Sequence, residues 1–163
     1  MFTAALTDFF RLRLQDAIVH EVGLPLRPSV DRYLAELLVR FTRTTETFSL
    51  QDEHGRPITR LSEMLEHGDV RARAWSFRRE RDVHKHIGDV LLFWSGVFPE
   101  FLRTRDAEDQ WIEPHRQGPA SYLIAASYRV PPCDSEAETL HWLSRDFEGY
   151  AYALKSVRKA FGA

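Results

Sequence analysis

The sequence predicts an all-α protein, an irregular bundle of about five or six helices packed around one central buried helix. Two patterns point there. Apolar residues recur at spacings of three and four through most of the chain, with proline and glycine marking the ends of those runs. One segment, Val90 to Phe98, is apolar nearly all the way round, as a helix must be when neighbours enclose it.

The first helix is expected from about Thr3 to Val22, with Phe2, Leu6, Phe9, Phe10, Leu14, Ile18 and Val22 on one face and Gly23 and Pro25 stopping it. A second begins after Pro28, with Ser29 as N-cap, and sets Val30, Tyr33, Leu34, Leu37, Leu38 and Phe41 at i, i+3, i+4 spacing. Between residues 46 and 58 a Thr-rich stretch, Asp52-Glu53-His54-Gly55 and Arg56-Pro57-Ile58 suit a minor β-hairpin or an irregular loop equally. Leu61, Met64 and Leu65 mark a short helix closed by Gly68 in a left-handed cap.

Asp69 is placed to cap the longest helical stretch, the central one, which runs to about Phe98 before Pro99. After a polar connection from Thr104 to Gln117, Gly118-Pro119 opens a helix carrying Tyr122, Leu123 and Ala126, and Pro131-Pro132 follows its end. Ser135 and Glu138 form a capping-box pattern ahead of one last helix, where Leu140, Leu143, Phe147, Tyr150, Leu154, Val157 and Phe161 alternate spacings of three and four.

A chain of 163 residues, 44% hydrophobic and 28% charged, can offset its conformational entropy by burial, and a single domain over 1–163 is expected. The net charge of −2 supplies no general field toward nucleic acid or an anionic membrane. All but Lys85, Lys155 and Lys159 of the 22 basic residues are arginine, a bias that a GC-rich genome explains as well as any function. Cys133 is the sole cysteine, so no internal disulfide can form, and the N-terminal residues lack the basic start and apolar run of a signal peptide; the cytoplasm is the expected compartment. The longest apolar run is far below the roughly 18 residues of a membrane span, so no membrane partner is expected.

The stripe of the central helix turns polar partway along. Val70, Ala74 and Phe77 lead to Arg81, His84 and Gly88, with His86 and Asp89 alongside. A carboxylate at the edge of the apolar segment needs a partner, Arg81 or another arginine, to offset its desolvation. Arg81, His84, His86 and Asp89 therefore form the candidate polar cluster, either a ligand or acid–base site or an interhelical salt bridge; the salt bridge is the more economical reading.

Glu138-x-x-His141 matches the di-iron helix element once, without the second copy such sites require. Glu80/His84, Asp82/His86, Glu63/His67 and Asp16/His20 are equally ordinary i, i+4 surface pairs, so neither a metal nor a cofactor is expected. Arg71 to Arg81 mixes arginines with Trp75 and Phe77, the ingredients of a single-strand nucleic-acid platform, but Glu80 and Asp82 dilute it. Cys133, Ser95 and Gly96 lack the surroundings of a nucleophile motif, and no phosphate-binding glycine loop is present.

The stretch His86-Ile-Gly-Asp-Val-Leu-Leu-Phe-Trp-Ser-Gly-Val-Phe-Pro-Glu100, with Gly118-Pro-Ala-Ser-Tyr122 downstream, resembles a group of bacterial helical proteins. That group shares an Ile/Leu-Gly-Asp, Leu-Phe, Ser-Gly-x-Phe-Pro-Glu core and a Gly-x-x-Ala/Ser-Tyr element. The resemblance covers about the middle quarter of the chain; it implies a bacterial source and a helical fold and carries no activity. Gly88 and Gly96, two turns apart, then read as sites where another helix approaches closely, with the Tyr122 helix as that neighbour and Tyr122 or the Arg116–Gln117 region bonded to Glu100.

Without a convincing catalytic constellation, and with Trp75, Trp111 and Trp142 in excess of one core, the leading expectation is a non-enzymatic protein acting on a protein partner or on itself. The last helix, apolar over about three heptads, offers a self-association seam or, more readily, an intramolecular one. The alternatives are an enzyme or ligand-binding protein using the polar cluster, with His115 or His141 brought near, and nucleic-acid binding through residues 71–81.

Overall fold

The computed structural model describes residues 2–41, 50–105 and 107–161. Seven α-helices follow in order among them: α1 (Phe2–Asp16), α2 (Pro28–Phe41), α3 (Leu61–His67), α4 (Phe77–Gly96), α5 (Pro114–Ser127), α6 (Ala137–Arg145) and α7 (Phe147–Ala160). The fold is all-α. A wider π-helical turn over Ala17–Val22 extends α1 to Gly23, whose φ of 78° closes the helix.

α4 is the central element, packed on α2, α3, α5 and α7. From His86 through Phe93 every residue is buried, so the first part of the apolar run marks an enclosed helix, whereas Trp94 and Val97 are half-buried and Phe98, beyond the end of α4, is exposed. One connected apolar cluster draws on all seven helices' neighbourhoods, from Phe10 and Leu14 on α1 to Leu154 and Val157 on α7.

Close approach at the two glycines is real, but their neighbours differ. A Cβ on Gly88 would stand 2.7 Å from the Tyr122 ring, whereas one on Gly96 would stand 2.6 Å from Leu154 Cβ and 2.8 Å from the Ala151 carbonyl. α4 therefore meets α5 at Gly88 and α7 at Gly96. Glu100 likewise bonds Arg158 of α7, at 3.1 Å, and not Tyr122.

Several boundaries move for local reasons. α4 starts at Phe77, capped by Ser76, whose hydroxyl accepts from Arg79 N, while Asp69 instead closes a turn by accepting from Arg71 N. Gly68 ends α3 with φ −92°, not left-handed, and its carbonyl meets His84. α5 begins at Glu113–Pro114, so Pro119 lies inside the helix. Ser135 donates to the Pro132 carbonyl from a 3-10 turn, so the capping box does not form.

The expected last helix is broken at Asp146 into α6 and α7. Leu140, Leu143, Phe147, Tyr150, Leu154 and Val157 are buried within the chain, so this part of the apolar seam is intramolecular, whereas Phe161 at its end is exposed.

No strand is present among the described residues, and the hairpin reduces to one antiparallel bridge between Gln51 and Pro57; residues 46–49 of that expectation lie outside them. Pro57 has no N–H to extend a ladder. The turn is held by the Asp52 carboxylate, which accepts from the N–H groups of Arg56 and His54 and from Arg56 Nε; these bonds lower its pKa to about 2.

Candidate functional site

α4 carries Asp89 into the interior, where it is 1% exposed. Its Oδ1 accepts hydrogen bonds from the Tyr33 hydroxyl at 2.6 Å and the Tyr122 hydroxyl at 2.7 Å, and its Oδ2 accepts from Arg40 Nη2 at 2.6 Å. Three helices, α2, α4 and α5, thus converge on one carboxylate. A buried charge is tolerable only with such compensation. Burial, then the Asp89 charge and the bond to it, push the Tyr33 phenol well up. The Tyr122 phenol is raised by burial first and then by Asp89. Burial is the largest influence on Arg40 and acts to lower its pKa, but the Asp89 charge, the bond to it and the neighbouring tyrosines together outweigh it and the net shift is upward.

The predicted cluster divides around this node. Arg40, not Arg81, is the arginine that neutralises Asp89. Arg81 instead bonds Glu136 at 2.8 Å and Asp82 at 3.0 Å, and Glu136 also receives Lys85 at 2.7 Å. His84 faces the other way: its Nδ1 lies 3.0 Å from Ser121 Oγ and its Nε2 3.1 Å from the Gly68 carbonyl. Burial lowers its pKa, opposed by the bond to Gly68. His86 is buried edge-on to Phe41, with ring centroids 6.3 Å apart.

Arg81, His86 and Asp89 do share the wall of a cavity of about 220 Å³, joined there by Arg40, Leu50, Asp82 and Lys85. The carboxylates on that wall are already engaged: both Asp89 oxygens accept bonds, and Asp82 pairs with Arg78 and Arg81. Tyrosines with raised pKa values are poor nucleophiles and poor bases near neutrality. These bonds tie α2, α4 and α5 together. Sequence reasoning placed Asp89 correctly as a buried acid but missed Tyr33 and Arg40, whose spacing of seven on α2 puts both on the face that meets α4.

A second feature was not foreseen. Between the ends of α1, α2, α4 and α7 and the 3-10 turn Pro99–Arg103 lies a groove of about 550 Å³, lined by Phe10, Leu38, Phe41, Phe93, Val97, Phe98, Phe101, Val157, Phe161 and Arg158. Its aromatic rings form a chain. Phe41 meets Phe93 at 5.1 Å between centroids, Phe93 meets Phe98 at 5.7 Å, and Phe98 meets Phe101 at 5.8 Å. On the facing wall Phe161 contacts both Phe9 and Phe10. The rim stays open to water: Phe98 is 37%, Phe101 53% and Phe161 52% exposed. The available signal was the aromatics on either side of Pro99-Glu100; Phe9, expected on the buried face of α1, is 40% exposed beside Phe161.

Neither a protein-family model, nor a curated protein, nor a solved structure matches this chain.

The remaining candidates are accounted for by local pairing. In the Arg71–Arg81 segment, Arg71 pairs with Asp69, Arg73 with Glu53 and Glu66, and Arg78 with Asp82, while Arg79 bonds the Gln51 carbonyl and lies over Trp75. Trp142 is flanked by Arg27 and Arg145, at 3.4 and 5.3 Å from its ring. His115 sits by Glu148 and Phe147, and His141 by Trp142; neither lines the Asp89 cavity. Among the described residues no three His, Cys, Asp or Glu side chains gather as metal ligands, and no helix is long and apolar enough to cross a membrane.

Proposed function

We propose that this chain is a non-enzymatic binding protein of the bacterial cytoplasm that engages another protein through the aromatic groove. The observation that supports this is the combination of an apolar groove with a rim of half-exposed phenylalanines. A fold that encloses Phe147, Tyr122 and Tyr150 almost completely leaves three phenylalanines, Phe98, Phe101 and Phe161, partly exposed around one groove. Contiguous apolar surface of that kind is characteristic of interaction sites, and aromatic anchors carry much of the binding energy where they occur. The committed hydrogen bonding of the Asp89 node argues the same way, since it leaves the most polar part of the core occupied with packing.

Site-directed photo-cross-linking in living cells tests the reading. A photoreactive phenylalanine analogue at Phe101 is expected to give a discrete protein adduct that the same analogue at Trp111 does not; Trp111 is 69% exposed and does not line the groove. Equal labelling from both positions, or none from Phe101, contradicts it.

A further inference from the structure

We infer that the loop end of α3 is an acid-released latch. Two buried imidazoles flank Gly68, His67 beside it in the chain and His84 across from it on α4, and they hold residues 66–75 against α4 only while uncharged.

His84 supplies the bond that closes the latch. A backbone carbonyl can only accept, so the 3.1 Å contact with the Gly68 oxygen requires the ring proton to sit on Nε2. Nδ1 is then bare and accepts from the Ser121 hydroxyl at 3.0 Å, while Ser121 Oγ accepts from Gln117 Nε2 at 2.8 Å. One chain of hydrogen bonds thus runs from α5 through α4 to the end of α3. The backbone comes this near because Gly68 has no side chain: a Cβ there would stand 3.0 Å from His84 Nε2 and 3.1 Å from Val83 Cγ1. A proton added at Nδ1 makes that nitrogen a donor facing the Ser121 hydroxyl hydrogen. The hydroxyl must then swing away, and the chain breaks at a fully buried residue.

His67 adds a second cost of charging. It is fully buried, and neither ring nitrogen has a hydrogen-bond partner among the described residues. The charged groups facing it are Arg73 from the loop after α3, Glu53 from the turn over residues 50–58, Arg79 from α4 and Glu63 from α3 itself, and Glu53 already pairs with Arg73. Asp69 is the charged group facing His84. Burial is the largest influence on both imidazoles and lowers both pKa values; Arg73 adds to it at His67, and the Gly68 bond and Asp69 oppose it at His84. Opening returns the rings to water, where they charge near pH 6.5, so below that pH each proton taken up favours the open form by up to about tenfold per pH unit.

The other end of α3 is fastened without an imidazole. The buried Asp109 carboxylate accepts from Leu61 N and Ser62 N, both at 2.9 Å, and Leu61 and Met64 lie in the core. Acid therefore frees the loop end while the start of the helix stays in place.

The test is amide hydrogen exchange of the full chain at about pH 7.5 and about pH 5.5, corrected for intrinsic rates and resolved by residue. Gly68, Arg73 and Ala74, whose N–H groups bond to Met64, Glu66 and Asp69, report the latch, and Tyr150 on α7 reports opening of the whole fold. The expected result is an opening equilibrium that rises at least about tenfold at the latch amides on acidification and less than about threefold at Tyr150. In His67→Leu/His84→Gln, where the glutamine amide can keep both bonds without titrating, that rise should vanish. An equal rise at Tyr150, no rise at the latch, or a rise that survives in the double variant would overturn the inference. Nitrogen-15 spectra of the wild-type histidines give a test that needs no variant: at pH 7.5 the His84 proton is expected on Nε2, and a proton on Nδ1 or a charged ring at that pH would overturn it as well.

Discussion

Replacing Asp89 by alanine removes the acceptor shared by α2, α4 and α5, and the structure sets the size of the effect. The Arg40 end counts for little: its side chain is 40% exposed, so water resolvates it, and an ion pair of that kind is worth about 0–1 kcal/mol. The tyrosines decide the outcome. Tyr122 is fully buried, and a lost hydrogen bond to a charged acceptor costs about 1.5–3 kcal/mol. Tyr33 loses a similar bond but lies partly within reach of solvent. The sum is about 3–5 kcal/mol, the range for breaking a buried pair by removing one member. For a chain of this size each kcal/mol shifts the melting temperature by about 2–4 °C, so a fall of about 6–20 °C is expected in calorimetry or circular dichroism. The double variant Tyr33→Phe/Tyr122→Phe removes the stranded donors, and in that background Asp89→Ala should be close to neutral or stabilising, a coupling that a mutant cycle reads directly. A fall below about 2 °C in the wild-type background, or additive losses across the cycle, would refute the keystone role.

Other expectations follow from the packing. Gly88→Ala and Gly96→Ala should each destabilise by about 1–2 kcal/mol in urea titrations, because overpacking against Tyr122, or against Leu154 and the Ala151 carbonyl, outweighs the gain of about 1 kcal/mol in helix propensity; unchanged midpoints would contradict the close approach. His67 is fully buried with neither ring nitrogen hydrogen-bonded among the described residues, and burial, assisted by Arg73, lowers its pKa; burial lowers that of His84 as well. Both imidazoles then take up protons at lower pH in the folded state than in the unfolded chain, whose histidines titrate near pH 6.5, so their contribution is intact above about pH 6.5 and lost as the pH falls toward their lowered folded values. His67→Leu should flatten that acid limb and stabilise by about 1 kcal/mol; a steeper limb would contradict it. Phe101→Ser, at a half-exposed rim position, should cost no more than about 1 kcal/mol of stability.

Periodicity made the helices and the enclosed position of α4 legible, because a residue's place on a helix face is local information. What it could not supply was pairing at a distance. Asp89 needs a cation, but nothing within one helix distinguishes Arg81, eight residues away, from Arg40, which reaches it only once α2 packs on α4. The same limit placed Gly96 against α5 when its neighbour is Leu154. The break at Asp146 was hidden for another reason: the i, i+3, i+4 series runs straight through it, since α6 and α7 both turn their apolar faces inward. Tyr33 and Tyr122 read as ordinary core aromatics, their hydroxyl bonds to Asp89 being visible only in three dimensions. The groove was obscured similarly, because Phe10, Phe98 and Phe161 are far apart in sequence and each is unremarkable alone.

The division of labour between a structural node and a binding groove can be tested in one comparison. Phe98→Ser/Phe101→Ser and Asp89→Asn are each measured for melting temperature and for affinity toward the protein captured by cross-linking at Phe101, titrated at a temperature where both variants remain folded. The groove variant should melt within a few degrees of the wild type and bind at least about tenfold more weakly, while Asp89→Asn should melt clearly lower and bind within about twofold. Full affinity in the groove variant together with lost affinity in folded Asp89→Asn would contradict this assignment and make the polar node the functional site.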